Sequence, residues 1–222
     1  VNLGGWLVLE KWMKPSLFEG LAATDETTWC AELGAQAPAR LRAHWDSFIT
    51  RADFAWLAER GINAVRIPLG HWIFGAPYPY HRSYGANPHP FVEGGIAVLD
   101  RAMVWAGELG LRVVLDLHAA PGCQNGFDNG GIKDVCEWHT RDEYLAHSVD
   151  VLDRLAERFA ALVAGAIRNR HQDATFHQSV IGRRVASQHA QVYKGVTRLR
   201  GLTIDQLSRS RLAGGRDRQR KL

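Results

Sequence analysis

Side chains that could take part in chemistry lie at or just beyond the ends of three predicted strands: Glu10, Arg66, Asp116 and His118. Because strand side chains alternate between two faces, Arg66 should point away from Val65 and Ile67. By the same alternation, Asp116 should share a face with His118. The carboxyl ends of parallel strands are where α/β enzymes place reactive groups, so this spacing favours a functional site. The alternatives are a structural ion pair for Arg66 and an ordinary core histidine for His118.

A polar, glycine-rich segment follows the third strand. Residues 122–131 (GCQNGFDNGG) offer amide and carboxylate groups beside one aromatic ring, that of Phe127. Sugars are bound by such a combination, because polar groups hold the hydroxyls and an aromatic face covers the C–H surface. Asn-Gly and Asp-Asn-Gly-Gly are also common turn formers, so a plain turn is the alternative. Glu10 could likewise be a surface carboxylate paired with Lys11.

Strands and helices alternate along the first 160 residues. We predict strands at residues 1–3, 62–67 and 111–117, helices at residues 53–60, 95–109 and 141–160, and long loops at residues 6–50 and 68–94. Asp53 should cap the first helix, Gly61 and Gly110 should stop the first two, and Pro68 should end the second strand. Helical crossovers of this length imply parallel strands in right-handed βαβ units.

Two α/β architectures contain such units, the doubly wound sheet and the (β/α)8 barrel. A glycine-rich phosphate loop after the first strand would favour the doubly wound sheet, but Gly4-Gly5 is not a G-x-G-x-x-G pattern. The segment that follows is long and rich in Trp. The sequence therefore predicts an α/β fold of the TIM-barrel family, with three βα units recognisable.

The chain has three cysteines, a small and odd number, so we expect no disulfide framework. Cys136 and His139, with Cys123 and His118 upstream, could be drawn as a zinc site. Their spacing fits no common structural zinc pattern, so we expect neither a metal nor a cofactor.

The charge balance divides the chain in two. Residues 1–163 hold 14 Lys/Arg against 20 Asp/Glu, a net of −6, whereas residues 164–222 hold 13 against 3, a net of +10. The last Trp is Trp138 and the last Glu is Glu157. We predict a folded part at residues 1–163 and a basic tail of low order at residues 164–222. Such a tail could bind nucleic acid, but Phe176 and Tyr193 are its only aromatic residues, which is few for base stacking.

No apolar run approaches the ~18 residues that a transmembrane helix needs, so we expect no membrane partner. No signal peptide is visible, and the chain begins at Val1 rather than Met, from which we expect the true N-terminus to be missing. Secreted and cytoplasmic locations both stay open.

Several motifs together resemble the exo-β-1,3-glucanases of glycoside hydrolase family 5, within the cellulase superfamily. Residues 2–10 (NLGGWLVLE) and 12–18 (WMKPSLF) resemble the opening of that family, and residues 61–68 (GINAVRIP) resemble its second strand. Residues 115–118 (LDLH) and 120–129 (APGCQNGFDN) resemble the third strand and its loop, with Cys123 where Ser is commoner. The resemblance covers about residues 1–160.

The resemblance implies a (β/α)8 barrel that hydrolyses β-glucan with retention of configuration. Glu10 and the Asp128-Asn129 pair would hold hydroxyls of the terminal glucose, and Phe127 would stack on sugar at the entrance. Arg66 would hold the nucleophilic carboxylate, and His118 would line the same subsite.

The departure from the family concerns the two catalytic glutamates. The family's acid/base lies in an Asn-Glu-Pro after strand four and its nucleophile lies after strand seven, but this chain has no Asn-Glu-Pro and no Glu after Glu157. We therefore expect a β-glucan hydrolase by descent that is inactive as this chain. The alternatives are a non-catalytic carbohydrate-binding remnant and, less favoured, a nucleic-acid-binding protein. The change of composition near residue 160 suggests a shifted reading frame or foreign sequence joined to a fragment.

Overall fold

The computed structural model of the chain describes residues 1–76 and 90–169, with side chains described up to residue 160. Over these ranges the α-helices are α1 (Glu26–Leu33), α2 (Ala37–Phe48), α3 (Arg51–Glu59), α4 (Gly95–Glu108) and α5 (Asp142–Asn169), and the strands are β1 (Ala64–Gly70) and β2 (Arg112–Ala119). Val1–Ala166 packs as one compact unit. The basic tail falls almost entirely outside the described residues, so its boundary stays a prediction. No helix in the described ranges is both long and apolar enough to cross a bilayer.

The sheet is parallel. β1 pairs with β2 from Ala64↔Arg112 through Leu69↔Leu117, with a register shift before Gly70. The N-terminal segment adds a single parallel bridge, Asn2↔Arg66, on the other side of β1. The predicted order of three parallel strands is therefore present, with the first reduced to one bridge.

Pro68 lies inside β1, which corrects the prediction that it ends the strand. Alternate residues of a parallel strand direct their backbone groups to opposite neighbours. The Arg66 backbone donates to Val1 and accepts from Leu3, so it faces the N-terminal segment. Pro68 is two residues further and faces the same side, where the described chain pairs only at Asn2. Its missing N–H therefore costs no hydrogen bond to β2.

Helices α1 and α2 lie within residues 6–50, which corrects the prediction of a long loop there. The N-cap of α1 is Asp25, whose Oδ1 accepts a hydrogen bond from Thr28 N at 2.7 Å. The Thr28 hydroxyl accepts in return from Asp25 N, which completes a capping box. The first turn thus has a local cause that hydrophobic periodicity alone does not reveal.

Helix α3 begins two residues before its predicted start, because Thr50 rather than Asp53 is the cap. Asp53 is the third helical residue, and its carboxylate accepts from Thr50 N at 2.7 Å. Gly61, with φ of +76°, lies just beyond the end of this helix, in a backbone conformation that few other residues adopt without strain. Helices α4 and α5 begin within a residue of their predicted starts, although α5 continues to Asn169.

The sheet has one apolar and one polar face. Val65 and Ile67 of β1 are buried, and β2 contributes Leu115 and Leu117 to the same core, as alternation predicts. Helices cover this face with Phe54, Leu99, Val151, Leu155 and Phe159. On the opposite face Val114 is 50% exposed. That open face carries the polar residues singled out in the sequence.

Candidate functional site

Arg66 is the centre of a polar cluster on the open face of the sheet. Its Nη1 donates to Asn2 Oδ1 at 2.8 Å, and its Nη2 forms an ion pair with Asp116 Oδ2. The Nδ1 atom of His118 lies 3.2 Å from Arg66 Nη2 and 3.0 Å from Asp116 Oδ2. Arg66 pairs with Val114 in the parallel register, and Asp116 and His118 are two and four residues beyond Val114 on the same face of β2. The predicted shared face is therefore present.

Glu10 is nearly buried, with 5% of its surface exposed, in the turn that follows the N-terminal segment. Its Oε1 accepts from Gly5 N and its Oε2 accepts from Trp12 Nε1, both at 3.1 Å. A Cβ placed on Gly4 would lie 2.9 Å from Glu10 Oε1 and 3.1 Å from Asn2 Nδ2. Glycine at position 4 thus lets Glu10 lie beside the Asn2 side chain. Since Asn2 also contacts Arg66, the structure brings Glu10 to the edge of the Arg66 cluster.

Helix α2 supports the turn that carries Glu10. His44 Nε2 lies 2.8 Å from the carbonyl oxygen of Gly5, and Trp6 Nε1 donates to the carbonyl of Trp45 at 2.9 Å. Burial lowers the pKa of His44, which favours the neutral ring at neutral pH. The neutral tautomer with its proton on Nε2 can donate to Gly5. The turn is therefore held by buried hydrogen bonds as well as by its own backbone.

Helix α1 supports the same turn through Glu26, which is fully buried. Its Oε2 accepts from Leu9 N at 2.9 Å, and the Trp72 side chain also forms a hydrogen bond with the carboxyl group. Burial raises the pKa of Glu26 to about 8. The group is therefore mainly protonated at neutral pH, which avoids the cost of a buried charge.

The loop after β2 is fixed to the strand by Gln124. Its Oε1 accepts from Ala120 N at 3.1 Å and its Nε2 donates to the carbonyl of His118 at 2.7 Å. Asp128–Gly130 forms a 3-10 turn that packs against β2, and Asn129 Oδ1 accepts from Asn125 Nδ2 at 3.2 Å.

Phe127 directly precedes this turn and is 65% exposed. Its ring is therefore available for stacking. The structure thus places Phe127, Asp128 and Asn129 on one loop at the end of β2, and Glu10 in the turn beside Asn2.

The zinc arrangement that could be drawn from the sequence is not formed. Cys123 is buried beneath Gly130, and burial raises the pKa of its thiol. Cys136 is exposed, and its thiol donates to the carbonyl of Gln124. Within residues 1–76 and 90–169, no three His, Cys, Asp or Glu side chains are grouped so that they could hold a metal ion.

Three supporting residues were not identified as site residues from the sequence: Asn2, Glu26 and Gln124. Asn2 and Gln124 lie within recognisable motifs, but only the folded chain shows that they contact Arg66 and His118. For Glu26 the available signal was the capping pattern Asp25-x-x-Thr28, which places it in the first turn of a helix.

The described fold is similar to those of solved glycosidases. It matches the crystal structure of rutinosidase from Aspergillus niger with a TM-score of 0.62 and 26% sequence identity, covering 71% of this chain and 42% of that one. The crystal structure of AoRut is similar with a TM-score of 0.61 and 27% sequence identity, again over 71% of this chain and 42% of that one. The class is therefore an α/β fold with parallel strands that corresponds to part of a glycosidase. No protein-family model matches the chain.

Curated relatives are more similar in sequence. "Probable glucan 1,3-beta-glucosidase A" of Aspergillus clavatus is 49% identical over 162 residues, and that of Aspergillus fumigatus is 48% identical over 162 residues. In both cases the match covers 72% of this chain and 36% of the relative, so the chain spans little more than a third of the relatives' length. Over these residues the chain is similar in sequence to proteins named as probable glucan 1,3-beta-glucosidases, which confirms the resemblance inferred from the motifs.

Proposed function

We propose that residues 1–163 are the N-terminal part of a retaining β-glucan hydrolase of glycoside hydrolase family 5, similar to the exo-β-1,3-glucanases, and that this chain alone is inactive. The observation that carries the proposal is the cluster of Arg66, Asp116 and His118 on the open sheet face, with Glu10 beside it. Charged groups gathered on one face at successive parallel strands are typical of barrel enzymes, which build their sites from several strands.

The open face also supports a (β/α)8 barrel as the complete fold. In a closed barrel the inward side chains of all strands pack in layers, and branched aliphatic residues dominate these layers. Val114 points to this face and is half exposed in the present chain. A valine in that position fits a barrel interior, where side chains of further strands would cover it.

The proposed sugar contacts lie at two places around the cluster. Glu10 would accept hydrogen bonds from hydroxyl groups, since Gly5 N and Trp12 Nε1 orient its two oxygens. Asp128 and Asn129 would bind hydroxyls from the loop after β2, and the exposed ring of Phe127 would cover a sugar face. Arg66 would hold the family's nucleophilic carboxylate, with His118 lining the same subsite.

The chain lacks the groups that break the glycosidic bond. Retaining hydrolysis requires an acid/base and a nucleophilic carboxyl about 5–5.5 Å apart. Asp116 lies on the open face, but its carboxylate is paired with Arg66 and contacts His118, so it is held as part of the cluster rather than placed as one of a catalytic pair. Loss of the general acid alone typically costs about 10²–10⁴ in rate, and the covalent step is lost as well.

The test is hydrolysis of laminarin and of an aryl β-glucoside by the purified chain, beside the intact Aspergillus clavatus relative. We expect no turnover above that of a matched blank. Activity restored by adding a polypeptide with the missing strands would support the proposal. Turnover by the chain alone within tenfold of the relative would show that its catalytic residues have been misassigned.

A second candidate is a carbohydrate-binding protein without catalysis. It is favoured by the preoriented carboxylate of Glu10 and by the exposed rings of Trp12 (72%) and Phe127 (65%). Retardation in laminarin-containing gels would test it. Phe127→Ala should weaken binding roughly threefold to tenfold, whereas Trp56→Ala, an exposed tryptophan on α3, should not. Equal loss from both variants would argue against a site at Phe127.

A further inference from the structure

Three consecutive residues before and within the first turn of α1 contact the segments that follow all three parallel strands. Asp25, Glu26 and Thr27 are all buried although they are polar. Asp25 caps the helix locally through its hydrogen bonds with Thr28. Further bonds of these three residues reach residues distant in the chain.

The bonds of Glu26 hold the first two segments. Its carboxyl group accepts from Leu9 N, next to Glu10, and forms a hydrogen bond with Trp72, which follows β1. Trp72 is itself fixed by stacking on Phe91, with ring centroids 3.7 Å apart. Glu26 thus links the turn that carries Glu10 to the end of β1.

Asp25 and Thr27 hold the third segment. Asp25 Oδ2 accepts from Lys133 N at 3.0 Å, while Thr27 donates to the carbonyl of Gly131 from its hydroxyl at 2.6 Å and from its N–H at 3.1 Å. Gly131 directly follows the turn that contains Asp128 and Asn129. Both loops that carry proposed sugar contacts are therefore bonded to the N-cap and first turn of one helix.

We propose that residues 25–27, the α1 clamp, set the spacing between the Glu10 turn and the Asp128-Asn129 turn, and so act as positioning residues for glucan binding. The nature of the ligand rests on the proposed function, whereas the mechanical link does not. A helix cap needs only Asp25 and Thr28, so capping does not account for the long-range bonds of Glu26 and Thr27. These bonds hold the loops in place before any sugar arrives, which reduces the entropy lost on binding.

Two substitutions weaken the clamp, and the first of them leaves the cap formed by Asp25 and Thr28 intact. Thr27→Val removes the hydroxyl bond to Gly131 with little change in volume, and Thr27→Ser restores it. Asp25→Asn keeps one carbonyl oxygen, which can cap the helix or accept from Lys133 but cannot do both. Thr50→Val is the matched control, because it removes a cap from α3, which carries none of the proposed sugar contacts.

The experiment measures amide hydrogen exchange in the full chain at residues 9–11 and 128–133, and laminaribiose binding by calorimetry. We expect exchange roughly fivefold to tenfold faster in both segments in Thr27→Val and Asp25→Asn, with normal rates in Thr27→Ser. Thr50→Val should leave the exchange rates of both segments unchanged once any change in the global free energy of unfolding is taken into account.

Unchanged exchange at residues 9–11 in both clamp variants would overturn the proposal, because the two loops would then be independent. Failure of the unmodified chain to bind laminaribiose would count against the proposed function, while the exchange rates would still decide the link. If Thr27→Val does not fold, the exchange rates of Asp25→Asn are compared with those of Thr27→Ser instead.

Discussion

Arg66 contacts side chains from the N-terminal segment and from β2, and these contacts give it a structural as well as a functional role. Asn2 Oδ1 accepts a hydrogen bond from Arg66 Nη1, and Asp116 and His118 both contact Arg66 Nη2. The guanidinium is partly exposed, so solvent screening limits what the ion pair contributes to stability. Its loss would nevertheless leave Asp116 without its cation in a partly buried position.

Replacement of this arginine should therefore destabilise the chain moderately. We expect Arg66→Met to lower the free energy of unfolding by about 1–2 kcal/mol, and Asp116→Asn in the same chain to restore part of the loss. Urea unfolding measures both effects. Arg51→Met, which removes an exposed pair with Glu108, should cost less than about 1 kcal/mol. A double variant less stable than Arg66→Met alone would contradict this account of Asp116.

Glu26 should make stability depend on pH. Its pKa is raised by burial from 4.5 to about 8, so between these values the unfolded chain ionises the group while the folded chain keeps it protonated. Over that window its contribution to the free energy of unfolding should fall by about 1.4 kcal/mol per pH unit, and it should level off above about pH 8.

The measurement is the difference in urea stability between the unmodified chain and Glu26→Gln at pH 5, 7 and 9. The difference should fall as pH rises from 5 to 7, because glutamine does not titrate. Glu32→Gln, also on α1, keeps Glu26 and should retain the slope of the unmodified chain. Parallel curves for the unmodified chain and Glu26→Gln would show that Glu26 ionises normally when folded.

At the residue scale, side-chain alternation was sufficient to predict the common face of Asp116 and His118 and the opposite placement of Arg66 and Val65. The supporting contacts were not predictable in the same way. Gln124 contacts the His118 carbonyl because of the path of the loop, and Glu26 contacts Leu9 across 17 residues. Such bonds depend on tertiary packing, which no local pattern encodes.

At the scale of elements, β1 shows how a proline can lie within a strand. Its position directs the missing N–H away from β2. We expect Pro68→Ala to change the free energy of unfolding by less than about 1 kcal/mol, since no ladder bond is gained or lost.

The neighbouring position should behave in the opposite way. Leu69 faces β2 through its backbone, so Leu69→Pro should cost about 3 kcal/mol more than Leu69→Ala, which removes the same buried side chain. Thermal unfolding of the three variants measures this. Similar stabilities for Leu69→Pro and Leu69→Ala would mean that the backbone of β1 is oriented differently.

The helices differ in how well the sequence reveals them. Helices α3 and α4 end near glycines and α4 and α5 have periodic apolar faces, so their positions follow from local chemistry. Helices α1 and α2 have 8 and 12 residues and lie in a segment rich in large aromatics. Their formation depends on burying Trp29, Leu41 and Trp45 against the rest of the chain, which periodicity does not show.

At the scale of the whole molecule, the two charge regions should be separable. Residues 1–163 carry a net charge of −6 and residues 164–222 a net charge of +10, so binding to polyanions should depend on the basic tail alone. Truncation after Asn169 should abolish salt-sensitive retention on heparin and leave the thermal midpoint of the body unchanged. Retention of the truncated chain at the same salt concentration, or a lower midpoint, would contradict this division.

The coding DNA offers an independent test of the proposed origin of the tail. If a shifted reading frame caused the change in composition, another frame downstream of residue 160 should encode a fourth strand followed by Asn-Glu-Pro. Absence of both features from every frame would exclude this origin.

The bonds between Thr27 and Gly131 and between Asp25 and Lys133 have a consequence for biosynthesis. They join residues 104 and 108 positions apart, so the ribosome makes α1 long before it makes the partners of that helix. At about 5–20 residues per second this interval is about 5–20 s. Throughout it the segment that becomes α1 lacks the bonds of Thr27 to Gly131 and of Asp25 Oδ2 to Lys133, so the helix is without part of the packing on which its formation depends. We expect ribosome-bound chains that end before Gly131 to be cleaved rapidly within residues 4–36 by added protease, and longer ones to resist.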